Sequence, residues 1–203
     1  MEEAGHDISW MRHSLAGPML RFCLLPGLSM DPSRGPPELV PLLPPIPTLT
    51  DPVLPLVLLE RSRFERLLVW CGVALLRPLL QRMVYRMEVE RAQLELGSAA
   101  LDFAFQPLES ADDPTVVHAL TAPLIDATGA VPLYGQALIA QAIAAASEPV
   151  AVRARMMLPE DVMQTMALYL PPALCAPAAA CMHARSVLQR MDPAWLQSFP
   201  TIH

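Results

Sequence analysis

From Glu60 to Met83 the apolar residues Phe64, Leu67, Leu68, Cys71, Leu75, Leu79 and Met83 recur at steps of three and four, the spacing of one face of an α-helix. Arg63, Arg66, Arg77 and Gln81 fall off that stripe. Pro78 removes a backbone donor, so the pattern predicts two helices divided there, with the proline near the first turn of the second. A further helix is expected from Met87 to Leu96, with Gly97 as its left-handed C-cap. Ser98 is then placed to cap a short helix carrying Leu101, Phe103 and Phe105 and ending before Pro107. Asp113 and Pro114 read as N-cap and first turn of the next helix, which contains Val117 and Leu120.

The second half continues in the same manner. Pro132 is expected to open a helix through Ala146, with Leu133, Ala137, Ile139, Ala140 and Ile143 supplying narrow apolar faces; its small alanines permit close helix approach, which makes it central. Val150 to Leu158 alternates apolar residues with Arg153 and Arg155, a short period of two that suggests a strand or an extended arm. Pro159, Glu160 and Asp161 start another helix with acids in its first turn. Pro177 to Met191 gives the last long helix, followed by a short tail from Pro193 to Phe199. No internal repeat is present.

Prolines interrupt this regularity in one block. Of the 23 in the chain, 11 fall between Pro18 and Pro55. Each lacks an amide donor and biases its predecessor away from helix, so the stretch is expected to be extended. Leu, Val and Ile fill the gaps, which suits a segment wrapped along a helical body better than a free polyproline ligand. The fold class expected is mainly α. It is a compact multi-helix domain with a Pro-rich extended N-terminal segment, and at most a short strand or arm near 150–158. Residues 1–59 would form an N-terminal helix plus the wrapping segment, and 60–203 the helical body as one folded unit.

Composition narrows the function classes. The 203 residues carry a net charge of −6, and all 14 basic side chains are arginines, since Lys and Asn are both absent. Those absences fit the codon bias of a GC-rich genome. An acidic chain without Lys argues against a dedicated nucleic-acid binder, and neither a Walker-type phosphate loop nor a G-x-G-x-x-G turn occurs. The mean hydropathy is positive, at +0.35, but the uncharged runs Ala127 to Ser147 and Val162 to Met182 are rich in Ala and broken by Gly, Gln and Pro, so helices buried in protein are expected rather than membrane spans. The acidic N-terminus does not resemble a secretory leader. Four cysteines at irregular spacing (Cys23, Cys71, Cys175, Cys181) are expected to be reduced core thiols of a cytosolic protein. Charge is blocked along the chain: about −4 over residues 1–60, +4 over 61–91, −7 over 92–152 and +1 over 153–203. Either the blocks neutralise one another in the fold, or they present faces of opposite sign to two partners.

No catalytic constellation emerges. His118 near Asp112 and Asp113 could be drawn as a base with an orienting carboxylate, but no nucleophile motif accompanies it. Cys175, Cys181 and His183 invite a zinc reading, yet a fourth ligand is missing and the last two diverge on a helix. Glu88, Glu90 and Glu95, interleaved with Arg86 and Arg91, have the spacing of surface i,i+4 ion pairs. The 12 methionines suit irregular cores and adaptable interfaces alike. Catalytic, cofactor and metal residues are therefore expected to be none.

Four segments occur in an order that is informative. They are Leu20 to Cys23 ahead of the Pro-rich stretch, the hydrophobic hairpin Leu67 to Arg82, the Gln93 to Ala104 turn, and Val152 to Pro159. In that order they resemble the SctK (YscK-like) family, cytoplasmic sorting-platform accessory proteins of bacterial type III secretion injectisomes, in scattered blocks over about two thirds of the chain. The resemblance implies a non-enzymatic adaptor without cofactors. It would bridge the cytoplasmic domain of the inner-membrane ring protein and the pods of the platform, and would reside in the cytoplasm, peripheral to the inner membrane through the ring. This sequence departs from better-known members in its lack of Lys, its longer Pro-rich segment and its Ala-rich C-terminal half. The basic face carrying Arg77, Arg82 and Arg86 is the candidate partner interface, and the acidic middle segment is the candidate for a second. The rival readings are a secretion chaperone, for which the chain is long and proline-broken, and a small helical ligand-binding or enzymatic domain using His118.

Overall fold

Ala16 to Met19 are already helical, ahead of the proline-dense stretch, and helices make up most of the described chain. The computed structural model describes residues 15–19, 49–83, 85–106, 126–155 and 176–200. The elements are α1 (Leu54–Val57), α2 (Arg61–Leu80), α3 (Arg86–Leu96), α4 (Ser98–Phe105), α5 (Ala127–Ile143), α6 (Glu148–Arg155), α7 (Pro177–Met191) and α8 (Pro193–Gln197), and the described residues contain no strand. The protein is mainly α, as its periodicity predicts. The expected helices at Pro114 and Pro159, His118 and most of the Pro-rich segment lie outside the described residues.

Helix α2 carries the expected stripe as far as Leu75 and further buried positions besides, while Leu79 and Met83 are only half-buried. Phe64, Leu67, Leu68, Cys71 and Leu75 are buried, and so are Gly72, Val73, Leu76 and Leu80, because helices pack on more than one side of it. The expected division at Pro78 does not occur. Pro78 lies inside α2, two residues before its end. The helix therefore loses one donor only in its last turn, where few hydrogen bonds remain to break, and Gln81 N–H still donates to the Arg77 carbonyl at 2.9 Å. The hydrophobic hairpin is thus a single helix as far as Leu80.

Gly97 forms the corner between α3 and α4. Its φ of +84° is positive as expected, but ψ is 149°, an extended value open almost only to glycine. It is also the N-cap of α4, so Ser98 is the first helical residue rather than the cap, and no side chain caps that end.

Helix α5 starts earlier than Pro132. The Asp126 side chain accepts the Gly129 N–H at 3.0 Å, capping a helix that runs through Pro132 to Ile143. Pro132 is exposed, so its ring lies on the outer side of the helix. Of residues 150–158, expected as a strand or arm, 150–155 are helical within α6 and the rest lie outside the described residues. Val150, Ala151, Arg153 and Ala154 are all buried, a set that alternation cannot produce. Glu148 in the first turn, Arg153 and Arg155 in the last, and Pro149 early in the helix are helix-end signals that outweigh a short alternation.

The centre of the fold is α5, packed between α2 and α7, with α4 also lying on α2 and α6 on α5. Two glycines set the α2–α5 approach. A Cβ on Gly72 would stand 1.9 Å from the Val131 carbonyl oxygen, and one on Gly135 would stand 1.8 Å from that of Leu68. The two backbones therefore touch, as the small residues of α5 allow. Helix α7 completes the core with Ala180, Cys181, Ala184, Val187 and Leu188.

The end of the N-terminal segment belongs to this core. Val53, Leu54, Leu56, Val57, Leu58 and Leu59 are buried, as are Leu15 and Met19. Polar contacts fasten the segment as well. Asp51 accepts from Val53 N–H at 2.9 Å and from Ser147 N–H at 2.7 Å. Arg185 donates to the Pro52 carbonyl at 3.1 Å, and the Trp195 indole N–H donates to the Pro55 carbonyl at 2.8 Å. Asp192, which caps α8 by accepting Trp195 N–H at 3.1 Å, also pairs with Arg63 at 2.9 Å.

Candidate functional site

The three arginines of the basic face have different local roles. Arg77, in the last turn of α2, donates to the carbonyl of Gln106 just beyond α4, and Gln81 donates to that of Ala104 at 2.8 Å. Together they hold the otherwise unpaired carbonyl end of α4, so Arg77 supports the fold. Arg86 pairs with Glu90 at 2.6 Å, with 90% of its side chain exposed. Arg82 is exposed and forms no ion pair among the described residues. It is the member of the set most available to a partner.

The charge blocks meet at α3. Arg91, at the end of the basic block, pairs with Glu95 at 2.6 Å and with Asp126 at 2.9 Å, both from the acidic block. The Gly129 amide foremost, helped by the adjacent Arg91 guanidinium, holds the Asp126 carboxyl below its ordinary range, against the opposing effect of its partial burial. The i,i+4 pairs expected on α3 are therefore present, and one arginine also ties α3 to the cap of α5. Ala92 is the only buried residue of α3. Met87 and Leu94, seven residues apart, are 80% and 87% exposed, and Tyr85 just before the helix is exposed too.

A second feature faces outward on the other side of Gly97. Trp70 of α2 stacks on Phe103 of α4 with ring centroids 4.7 Å apart, and the Arg66 guanidinium lies 5.4 Å from the centre of the Trp70 ring. Beside this stack is an open depression of about 460 Å³ lined by Val69, Trp70, Leu96 and Ala99 together with Glu65 and Arg66. Glu65 is held by Arg61 at 3.0 Å. Arg66 and Trp70 stand four residues apart on one helical face, a spacing visible in the sequence, but the partner ring and the depression come from α4 and could not be read from it.

The remaining candidates are brought to no common site. Cys71 is wholly buried, and burial pushes its thiol far above the ordinary range. Cys181 is also buried, raised to about 11 chiefly by burial, and its Sγ lies 3.5 Å from the Pro52 carbonyl. Both thiols are thus held protonated and poorly nucleophilic. Cys175 lies outside the described residues, and His183 is half-buried on α7. Among the described residues no three His, Cys, Asp or Glu side chains gather as metal ligands would, and no helix is long and apolar enough to cross a membrane. No family model, curated protein or solved structure matches the chain.

Proposed function

We propose that this chain is a non-enzymatic adaptor of a bacterial type III secretion sorting platform, joining the cytoplasmic domain of the inner-membrane ring protein to the platform pods. The observation that carries the reading is the order of the four SctK-like segments along the chain. Two of them fall on elements that pack together: Leu67 to Arg82 on α2, and Gln93 to Ala104 across the α3–α4 corner, joined by the Trp70–Phe103 stack. They form one structural unit, as segments retained for a shared fold would. The described part of a fourth, Val152 to Arg155, lies on α6 against the central helix. A cytoplasmic location at the inner membrane, held there through the ring, is part of the same proposal. The low charge of the chain, 17% of residues, suits a body that works docked between partners.

The test is co-purification of the full chain with the ring domain and with the pod protein, read against a chaperone–substrate pair. Capture of both platform partners is the expected outcome; capture of neither, or of a secretion substrate instead, overturns the reading. Arg82→Glu tests the basic face without disturbing the contacts of Arg77. It is expected to weaken one of the two captures about tenfold, equivalent to roughly 1.4 kcal/mol, and retention of both at wild-type strength removes the face from the interface.

A further inference from the structure

The depression beside Trp70 has the make-up of an interaction hot spot. Its wall is an indole already fixed by stacking on Phe103, so an incoming side chain would meet a surface that needs no ordering. Trp and Arg are the residue types most enriched where binding energy concentrates. The remaining lining is aliphatic, from Val69, Leu96 and Ala99, and Gly97 at the corner leaves open space where a side chain would stand.

Charge identifies the occupant. Two ionic groups line the depression. Glu65 is neutralised by Arg61 at 3.0 Å, whereas Arg66 forms no ion pair among the described residues and lies over the indole at 5.4 Å. The charge left at the mouth is therefore positive, on a molecule whose net charge is −6. An acidic segment is repelled by much of this protein and attracted here, which favours one register over others.

We propose that this depression docks an acidic segment of a protein partner, with an aliphatic or aromatic side chain seated against Trp70 and a neighbouring carboxylate on Arg66. That the partner is one of the sorting-platform proteins rests on the adaptor reading above; the docking chemistry does not.

Two arms separate these claims. In the first, fluorescein-labelled Asp/Glu-rich octapeptides with a central Leu-Phe pair are titrated into the full-length protein and followed by anisotropy. The comparison peptides replace Leu-Phe by Ala-Ala, or the acids by Lys. The variants are Arg66→Glu and Ala99→Glu. Ala99 is exposed in the first turn of α4, where an acid favours the helix, so Ala99→Glu blocks the site while leaving the fold intact, and thermal unfolding checks that it does. Saturable binding of the acidic Leu-Phe peptide is expected, at least tenfold weaker in both variants and for both comparison peptides, and weakening with salt. No saturable binding, binding unchanged in the variants, or equal binding of the Lys peptide overturns the docking proposal. So does wild-type self-association that Ala99→Glu abolishes, which would make the occupant a second copy of the chain. In the second arm the same variants enter the ring and pod co-purifications. Loss of one capture in parallel with the peptide places that partner at the depression. Peptide binding without capture of either partner leaves the docking chemistry standing and overturns the adaptor reading.

Discussion

At the scale of single residues, Asp126 combines two tasks in one carboxylate: one oxygen caps α5 through Gly129 N–H and the other receives Arg91 from α3 at 2.9 Å. Both contacts favour the charged form, which is why its carboxyl titrates below the usual range. Since the folded value is depressed, the stability it contributes is present above the unfolded value of about 3.9 and is lost as pH falls through the lower folded value. Replacing Asp126 by Ala is therefore expected to cost about 0.5–2 kcal/mol at pH 7. Urea unfolding at pH 7 and at pH 3 checks this: the gap between variant and wild type should narrow at the acid end, and a gap of constant size would show that the cap charge is irrelevant. Asp126 as the start of α5 is within reach of the sequence only as a favoured N-cap residue, since Gly129 three residues later is a poor helix former. Pro132 masks it, because a proline at the first turn is the stronger local signal.

Among elements, the crossing of α2 and α5 decides the architecture. A glycine inside a helix ordinarily gains about 0.5–1 kcal/mol on replacement by Ala. At Gly72 and Gly135 the sign should reverse, because the new methyl meets the carbonyl oxygens of Val131 and Leu68. Each single Ala variant is expected to lose about 1–3 kcal/mol in chemical denaturation, and a gain at either position would mean that the helices do not touch there. That α5 could approach a neighbour closely is legible in its small side chains, and the stripe of α2, the ends of α7 and the α3–α4 corner are legible in periodicity and glycine placement. Which helix meets Gly72 is not, since that depends on residues about sixty positions apart. Residues 148–155 mislead for a related reason: Arg153 is buried with its guanidinium on the Pro149 carbonyl at 2.8 Å, so a position that reads as solvent-facing faces the protein. The candidate site divides likewise. The basic run and its exposed Arg82 are visible in the sequence, whereas the fold-supporting role of Arg77 and the Trp70 depression exist only once α4 is laid on α2.

For the whole molecule, the segment around residues 49–59 is the strap that joins the two ends of the described chain. Its leucines and valines are buried, each such side chain contributing about 1.5–3 kcal/mol, while Asp51, Pro52 and Pro55 supply the polar contacts to Ser147, Arg185 and Trp195. Asp51→Ala removes the acceptor of the Val53 and Ser147 amides, at a cost of about 0.5–1.5 kcal/mol for each hydrogen bond, and Trp195→Phe removes the donor to Pro55. For a chain of this size that corresponds to a Tm lower by roughly 2–10 °C. Calorimetry of the two variants checks it, and wild-type melting of Asp51→Ala would mean the strap is held by its apolar side chains alone. The contacts to Arg185 and Trp195 span 133 and 140 residues of sequence, and this has a consequence during synthesis. At about 5–20 residues per second, about 7–28 seconds separate the appearance of the strap from that of the helices that receive it. Throughout that interval the aliphatic segment lacks the cover that α7 and α8 give it in the finished fold, so truncation before α7 is expected to leave the chain prone to aggregate.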